Sequence, residues 1–246
     1  MDAHNIKLTL SYDGTGYHGW QRQENGVTIQ GVIEEKIRTM TGEPVRLIAS
    51  GRTDAGVHAL NQVCNFITRS PIDPQAIKAG LNSMLPGDIV ITGAQYVPME
   101  FHSRYRVKSK LYEYRILNRP DPDVFLRNYT WYIRRPLNRD EMTKSLSVLT
   151  GTHDFSSFRS AGSENINPVR TVSRAELYCP DNQIRIIIEA DGFLRHMVRN
   201  IVGTIVDAGM GRLDANDIKR ILEARDRREA GRKAPAQGLF LVSVTY

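Results

Sequence analysis

The segment GRTDAGVH at positions 51–58 holds, within a few positions, the residue types that acid–base or nucleophilic chemistry needs. Asp54 stands between the cation Arg52 and the imidazole His58, and glycines lie on both sides of it. A carboxylate in that setting can act as a nucleophile or remove a proton. The same letters also fit a tight turn in which Asp54 accepts a backbone hydrogen bond. The residues alone leave these two interpretations open.

A second group of polar side chains lies in residues 193–208, whose apolar spacing predicts a largely buried helix. Arg195 and Arg199 are four positions apart and would share a face of that helix. A buried arginine usually has an acidic partner, because an unpaired buried charge is costly. No carboxylate in the first three turns can serve, so Asp54 is a candidate. The alternative is an arginine that extends into solvent.

Basic residues are concentrated between positions 100 and 119, in a chain whose formal net charge is +6. Three tyrosines are interleaved with them. Cationic side chains neutralise phosphates and aromatic faces stack on unpaired bases, so the mixture suits RNA, although a solvated charged face is an alternative. The residues concerned are Arg104, Arg106, Lys108, Lys110, Arg115 and Arg119, with Tyr105, Tyr112 and Tyr114.

Neither a metal nor a cofactor is predicted. The string GTGYHG at positions 14–19 matches the dinucleotide-binding pattern G-x-G-x-x-G, but no helix opens directly after it. Glycines that let the backbone turn or approach a ligand closely explain it better. The six histidines and two cysteines show no metal-ligand spacing.

The predicted elements describe an α+β protein whose second half repeats the order of its first, β-α-β-β-α-β. We therefore expect two ferredoxin-like halves, residues 1–103 and 104–246, with helices on one face of an antiparallel sheet and a cleft between the halves. The predicted strands are residues 6–12, 45–50, 62–68, 88–97, 110–117, 169–178, 183–190 and 238–246. The predicted helices begin at Thr28, Asp73, Asn138, residue 193 and Asp214.

Composition restricts the class of protein. With 41% apolar and 24% charged residues, the chain matches ordinary soluble globular domains. No apolar run reaches the length of a membrane span, and the first residues do not resemble a signal peptide. We expect a cytoplasmic protein that does not bind membranes.

The motifs together resemble the TruA family of tRNA pseudouridine synthases. The similarity includes YDGTGYHGWQRQ from position 12, GRTDAGVH from 51, FHSR from 101 and YEY from 112. It continues with HDF from 153, residues 193–203, and AP…GLFL from 234. These motifs occur in the family's order over nearly the whole chain.

The resemblance implies the pseudouridine synthase fold, with both halves in one extended sheet and a basic cleft. It also implies a homodimer that needs no cofactor or metal and isomerises uridines 38, 39 and 40 of the tRNA anticodon stem-loop. Asp54 would be the catalytic aspartate and Arg199 the arginine paired with it. Tyr112 would contact the target base, and Arg52 would hold the RNA and the flipped nucleotide.

Two other hypotheses remain at this stage. A non-catalytic RNA-binding protein made of two sheet modules would explain the basic residues, but not an acidic residue in the cleft. It would also be expected to carry an aromatic RNA-binding signature, which the sequence lacks. A nucleotide-dependent enzyme would have to use the glycines at positions 14–19.

Overall fold

A computed structural model describes residues 3–162, 167–180 and 183–246. The chain divides into two compact units, which are described separately. Unit 1 comprises Met1–Lys108 with Phe240–Tyr246, and unit 2 comprises Ser109–Leu239. The last strand therefore belongs almost wholly to the first unit, although it comes last in the chain.

Both strands and helices occur in each unit. In chain order they are β1 (His4–Tyr12), α1 (Ile29–Thr41), β2 (Ile48–Ala49), β3 (His58–Thr68), α2 (Pro74–Met84), β4 (Ile89–Val97), β5 (Ser109–Asn118), β6 (Trp131–Ile133), α3 (Arg139–Ser147), β7 (Gly151–Asp154), β8 (Val169–Tyr178), β9 (Gln183–Ala190), α4 (Met197–Gly209), α5 (Ala215–Ala224) and β10 (Leu239–Thr245). None of the helices in the described ranges is long and apolar enough to cross a membrane.

The sheet of unit 1 is built around β1, which pairs antiparallel with β3 on one side and β4 on the other. On the far side of β3, β2 pairs antiparallel and β10 pairs parallel. Residues of β1 alternate in burial, with Ile6, Leu8 and Leu10 fully buried. Fully buried apolar residues on α1 and α2, such as Ile33 and Ile77, complete the core, and burial of each contributes about 2 kcal/mol.

Local capping signals in unit 1 are confirmed. The Thr28 hydroxyl accepts a hydrogen bond from the Gly31 amide at the start of α1, and Gly42 ends that helix in the left-handed conformation. Asp73 caps α2. The strand predicted over residues 45–50 is reduced to Ile48–Ala49. The reason is a contact with a different element: the Leu47 amide donates to the buried Glu34 carboxylate of α1 at 2.8 Å and is not available to a strand partner.

The sheet of unit 2 has the order β5-β9-β8-β7, antiparallel throughout, and β6 pairs parallel with β5. Asn138 and Asp214 cap α3 and α5 as predicted. The sequence also predicts that Gly151 ends α3, as a glycine after a helix often does. That prediction is wrong, because the helix stops at Ser147 and Gly151 begins β7 with φ +112°. The turn predicted between β8 and β9 includes residues 181–182, which lie outside the described residues.

The helix predicted from residue 193 begins only at Met197. His196 precedes it with φ 60°, a left-handed conformation that a non-glycine residue adopts at a cost and that an α-helix does not contain. Arg195 therefore lies outside the helix and donates from Nη1 to the Ala161 carbonyl at 2.7 Å. The prediction that Arg195 and Arg199 share a helix face is wrong.

Candidate active site

The loop that carries Asp54 connects β2 to β3 and is anchored to β3 by a buried amide side chain. Gln62 is fully buried; its Oε1 accepts from the Ser50 hydroxyl at 2.6 Å and its Nε2 donates to the Gly51 carbonyl at 3.0 Å. At the other end the Val57 amide donates to the Asp54 carbonyl at 3.1 Å and closes a turn. The loop is thus fixed at both ends by hydrogen bonds.

Thr53, the neighbour of Asp54, is held from two directions. Its hydroxyl shares a 2.8 Å hydrogen bond with the buried Tyr12 hydroxyl, and its carbonyl accepts from the Trp20 amide at 3.0 Å. Burial raises the pKa of Tyr12 to about 12, so the phenol stays protonated at neutral pH. Because side chain and backbone of Thr53 are both fixed, the backbone at Asp54 has little freedom.

The glycine-rich segment between β1 and α1 packs directly against this loop. Gly19 has φ +84°, and a Cβ there would lie 2.6 Å from the Thr53 carbonyl oxygen and 3.0 Å from the Asp54 carbonyl carbon. A Cβ on Gly14 would lie 2.1 Å from the Val57 carbonyl oxygen. The glycines therefore serve close approach, but what they approach is the protein's own loop and not the ligand that the sequence suggested.

His58, the last residue of the predicted motif, is buried at the start of β3. Its Nδ1 lies 3.1 Å from the Gly14 amide nitrogen, which donates to it, and 3.0 Å from an Asp13 carboxylate oxygen. Its ring stacks on Phe240 with centroids 4.6 Å apart. His58 thus ties the end of the Asp54 loop to the glycine-rich segment. Sequence reasoning noted His58 but assigned it no such contact.

The two predicted site residues of unit 1 differ in exposure. Asp54 is half-buried, and Arg52 is exposed on the same loop. An exposed guanidinium beside a partly buried carboxylate is suited to contact a polyanion while the carboxylate faces a reacting group.

Tyr112 lies on β5 of unit 2 and is largely buried. Its ring meets Phe193 edge to face, with centroids 5.0 Å apart. Two positions further along the same face of the strand, the Tyr114 hydroxyl donates to the Pro235 carbonyl at 2.7 Å. Burial raises the pKa of Tyr114, which keeps this donor protonated.

Arg199 lies in the first turn of α4 and is only 9% exposed. Its Nε donates to the Ala234 carbonyl at 2.8 Å, and the Ala234 amide donates back to the Arg199 carbonyl at 3.0 Å. Segment 232–235 therefore lies against α4, and a Cβ at Gly203 would lie 1.6 Å from the Arg232 carbonyl oxygen. The adjacent Ala234 and Pro235 link the helix of Arg199 to the strand of Tyr112.

The four predicted residues thus fall into two pairs, Asp54 with Arg52 in unit 1 and Tyr112 with Arg199 in unit 2. Sequence reasoning overlooked Tyr12 and Gln62, which hold the Asp54 loop. Their signal was weak: each is a polar group on a predicted strand, and nothing local shows that its partner lies in a loop. Over the described ranges, no group of three or more His, Cys, Asp or Glu side chains is placed to hold a metal ion.

A half-buried carboxylate on a loop fixed by hydrogen bonds, beside an exposed guanidinium, is compatible with acid–base or nucleophilic chemistry on a polyanion. Comparison with known proteins identifies the family. The sequence pattern of the tRNA pseudouridine synthase family matches residues 9–106 and 146–246. The chain is 49% identical to tRNA pseudouridine synthase A of Acetivibrio thermocellus, over 98% of this chain and 99% of the relative.

Other relatives agree. The proteins of that name from Caldicellulosiruptor bescii and Thermoanaerobacter sp. are 49% and 47% identical over the same shares of both chains. The chain belongs to the tRNA pseudouridine synthase family, and it is an isomerase that converts uridine to pseudouridine.

Proposed function

We propose that the protein isomerises uridine to pseudouridine at positions 38, 39 and 40 of the tRNA anticodon stem-loop, with Asp54 as the catalytic carboxylate and no cofactor. The observation that carries the proposal is the way the Asp54 loop is built. Gln62, Tyr12 and Gly19 fix the backbone around one half-buried carboxylate, and such rigidity is what a reacting group requires.

The chemistry suits a single positioned carboxylate. The N1–C1′ bond of uridine breaks, the uracil turns, and C5 bonds to C1′. The C5 proton leaves to water and N1 gains a proton, so the reaction is an isomerisation with no net oxidation or reduction. Asp54 can attack C1′ or remove a proton from the sugar, and both routes need the carboxylate ionised beside the ribose.

The other roles in the proposal come from the resemblance. Tyr112 contacts the target base, Arg199 pairs with the Asp54 carboxylate, and Arg52 holds RNA. The hydrogen bond from Arg199 Nε to the Ala234 carbonyl supports the role of Arg199, because this bond fixes one side of the guanidinium. The proposal also includes a cytoplasmic homodimer with a basic cleft. The antiparallel strand order β4-β1-β3-β2 supports a ferredoxin-like first half.

RNA binding draws support from an exposed aromatic and basic group after β4. The Tyr105 side chain is 77% exposed, and its ring lies 4.2 Å from that of His102 between centroids. The Arg104 guanidinium lies 5.9 Å from the Tyr105 ring. The His102 Nδ1 accepts from the amides of both residues, which fixes the turn. Exposed rings beside guanidinium groups are the usual platform for unpaired bases.

The test compares Asp54→Asn with Asp73→Asn, the same chemical change at an exposed helix cap, where asparagine caps equally well. The assay is tritium release from tRNA transcripts labelled at uridine C5, with transcripts lacking uridine at 38–40 as a substrate control. We expect Asp54→Asn to lose turnover by at least about 1000-fold with tRNA binding nearly intact, and Asp73→Asn to match wild type.

Turnover by Asp54→Asn within tenfold of wild type would remove Asp54 from the mechanism. Release that persists on transcripts without uridine at 38–40 would refute the proposed target. Tight tRNA binding by wild type without any release would favour the binding-module hypothesis.

A further inference from the structure

Unit 2 contains a cavity of about 370 Å³ that plays no part in the site described above. It lies where β5 ends and α3 begins, on the segments that flank β6. Three arginines, two prolines and a leucine line it, and no acidic residue of the described ranges does. The lining residues are Asn118, Arg119, Pro120, Arg134, Pro136, Leu137 and Arg139.

The cavity is preformed, because one side chain clamps its walls together. The Asn118 Nδ2 donates to the carbonyls of Ile133 at 2.9 Å and Arg135 at 2.8 Å. The Asn118 Oδ1 accepts from the Leu137 amide at 3.2 Å. Leu137 is largely buried, and two prolines stiffen the adjacent backbone. The free-energy cost of ordering this site on ligand binding is therefore small.

The three arginines are not equivalent. Arg119 is already engaged: it donates to the Asp121 and Pro122 carbonyls and forms a 3.0 Å ion pair with Asp123. Its charge is thereby largely neutralised, and its role is to shape the wall.

Arg134 and Arg139 are exposed. Neither forms an ion pair with any residue in the described ranges. Of the carboxylates that follow Arg139 in α3, Glu141 accepts from the Ala215 amide at 2.9 Å, and Asp140 does not line the cavity. Two guanidinium groups are therefore available to an anion.

We propose that this cavity binds one nucleotide of the tRNA substrate outside the target nucleotide. Arg134 and Arg139 hold its phosphate, and its sugar or base rests on Pro120, Pro136 and Leu137. Paired guanidinium groups match phosphate oxygens, and an apolar floor suits a ring. The inference rests on the tRNA substrate proposed above.

The position of the cavity defines what it can do. Tyr112 and Asn118 are on the same strand, six residues apart, which corresponds to about 20 Å. A contact at that distance from Tyr112 anchors the RNA without touching the base it holds. The cavity should therefore contribute to tRNA affinity and not to the chemical step.

The test removes the two available cations with Arg134→Ala/Arg139→Ala. The matched control, Lys144→Ala/Lys219→Ala, removes two exposed cations from α3 and α5 that do not line the cavity. We expect the Kd for unmodified tRNA to rise about tenfold in the cavity variant, and the slope of log K against log salt to decrease by about one, because one phosphate contact is lost. The control should change both much less, and kcat at saturating tRNA should stay at the wild-type value.

A lysine version, Arg134→Lys/Arg139→Lys, keeps the charge and should retain the wild-type salt slope with a smaller loss of affinity. Thermal denaturation is used to show that the cavity variant is folded. The proposal is overturned if this variant binds tRNA with wild-type affinity and salt slope, or changes only as much as the control. An acidic protein partner at the cavity would give that result. Wild-type protein that binds tRNA but releases no tritium would refute the proposed function, while the binding comparison would still decide the cavity.

Discussion

Two glycines in one motif should respond in opposite ways to the same substitution. Gly19 has φ +84° and touches the Asp54 loop, whereas a Cβ on Gly16 would meet no atom within 4 Å and Gly16 has no positive φ. Both lie between β1 and α1 and gain only one methyl group on substitution by alanine. The pair therefore separates the combined effect of the left-handed φ and the close backbone approach from the general effect of adding a methyl group.

The magnitude for Gly19→Ala has two parts. A left-handed conformation costs alanine about 1–2 kcal/mol. The Cβ must also move from 2.6 Å to about 3.4 Å from the Thr53 oxygen, which forces the two segments apart and costs about 1–3 kcal/mol more. We expect a total loss of about 2–5 kcal/mol in the free energy of unfolding. For Gly16→Ala we expect no loss, or a gain of up to about 1 kcal/mol.

Activity should follow the same geometry. A displacement of several tenths of an ångström reaches Asp54 through Thr53, and a 1 Å misplacement of a reacting group costs about 100-fold in rate. We therefore expect kcat for tritium release to decrease about 10- to 100-fold in Gly19→Ala and to stay unchanged in Gly16→Ala. Urea unfolding supplies the stabilities. Equal effects of the two substitutions, or a loss in Gly19→Ala below about 0.5 kcal/mol, would show that the loop does not depend on this contact.

Two further predictions concern side chains that hold the site. Burial raises the pKa of Tyr12 from 10.0 to about 12. The contribution of the protonated Tyr12 to the free energy of unfolding is therefore fully present below pH 10 and is lost as the pH rises towards 12. Tyr12→Phe should lose about 1 kcal/mol of unfolding free energy at pH 7, because the hydrogen bond to Thr53 is missing. At alkaline pH the variant should not show the further decrease of about 2–3 kcal/mol that the wild type shows, because it has no phenol to ionise. Unfolding titrations at both pH values check this, and parallel curves would contradict it. Arg199→Lys has no Nε donor for the Ala234 carbonyl and should lose about 1–3 kcal/mol and at least about tenfold in kcat; wild-type values of both would remove this contact from the site.

The parts of the fold that sequence predicts are those fixed by neighbouring residues. Thr28, Asp73, Asn138 and Asp214 each cap a helix through an amide two or three positions away, so the signal and its effect lie in one short window. The alternation of β1 is equally local. Where a distant group intervenes, the pattern misleads: the Leu47 amide is taken by Glu34, and β2 shrinks to two residues.

The start of α4 shows the same limit at the site itself. The apolar spacing of residues 193–208 is continuous, but the chain turns at His196. The Arg195 carbonyl accepts from the Ser160 amide and its guanidinium binds the Ala161 carbonyl, and both partners come from the chain before β8. Two tertiary hydrogen bonds thus outweigh the local preference for another helical turn. Phe193 is thereby free of the helix and packs against Tyr112.

The candidate site residues could be proposed from sequence because their types are rare in such surroundings, whereas the contacts that position them could not. Asp54 is recognisable as a carboxylate between glycines. Its backbone, however, is fixed by Tyr12, 42 positions earlier, through the hydrogen bond between Tyr12 and Thr53. Arg199 is recognisable on an apolar helix, but its hold comes from the Ala234 carbonyl, 35 positions later. The Ala234 carbonyl, like the Trp20 amide that holds the Thr53 carbonyl, is a backbone group and has no residue-specific signature. Substitutions that move backbone without altering any polar side chain, such as Gly19→Ala, should therefore damage this site as severely as loss of a hydrogen-bonding side chain.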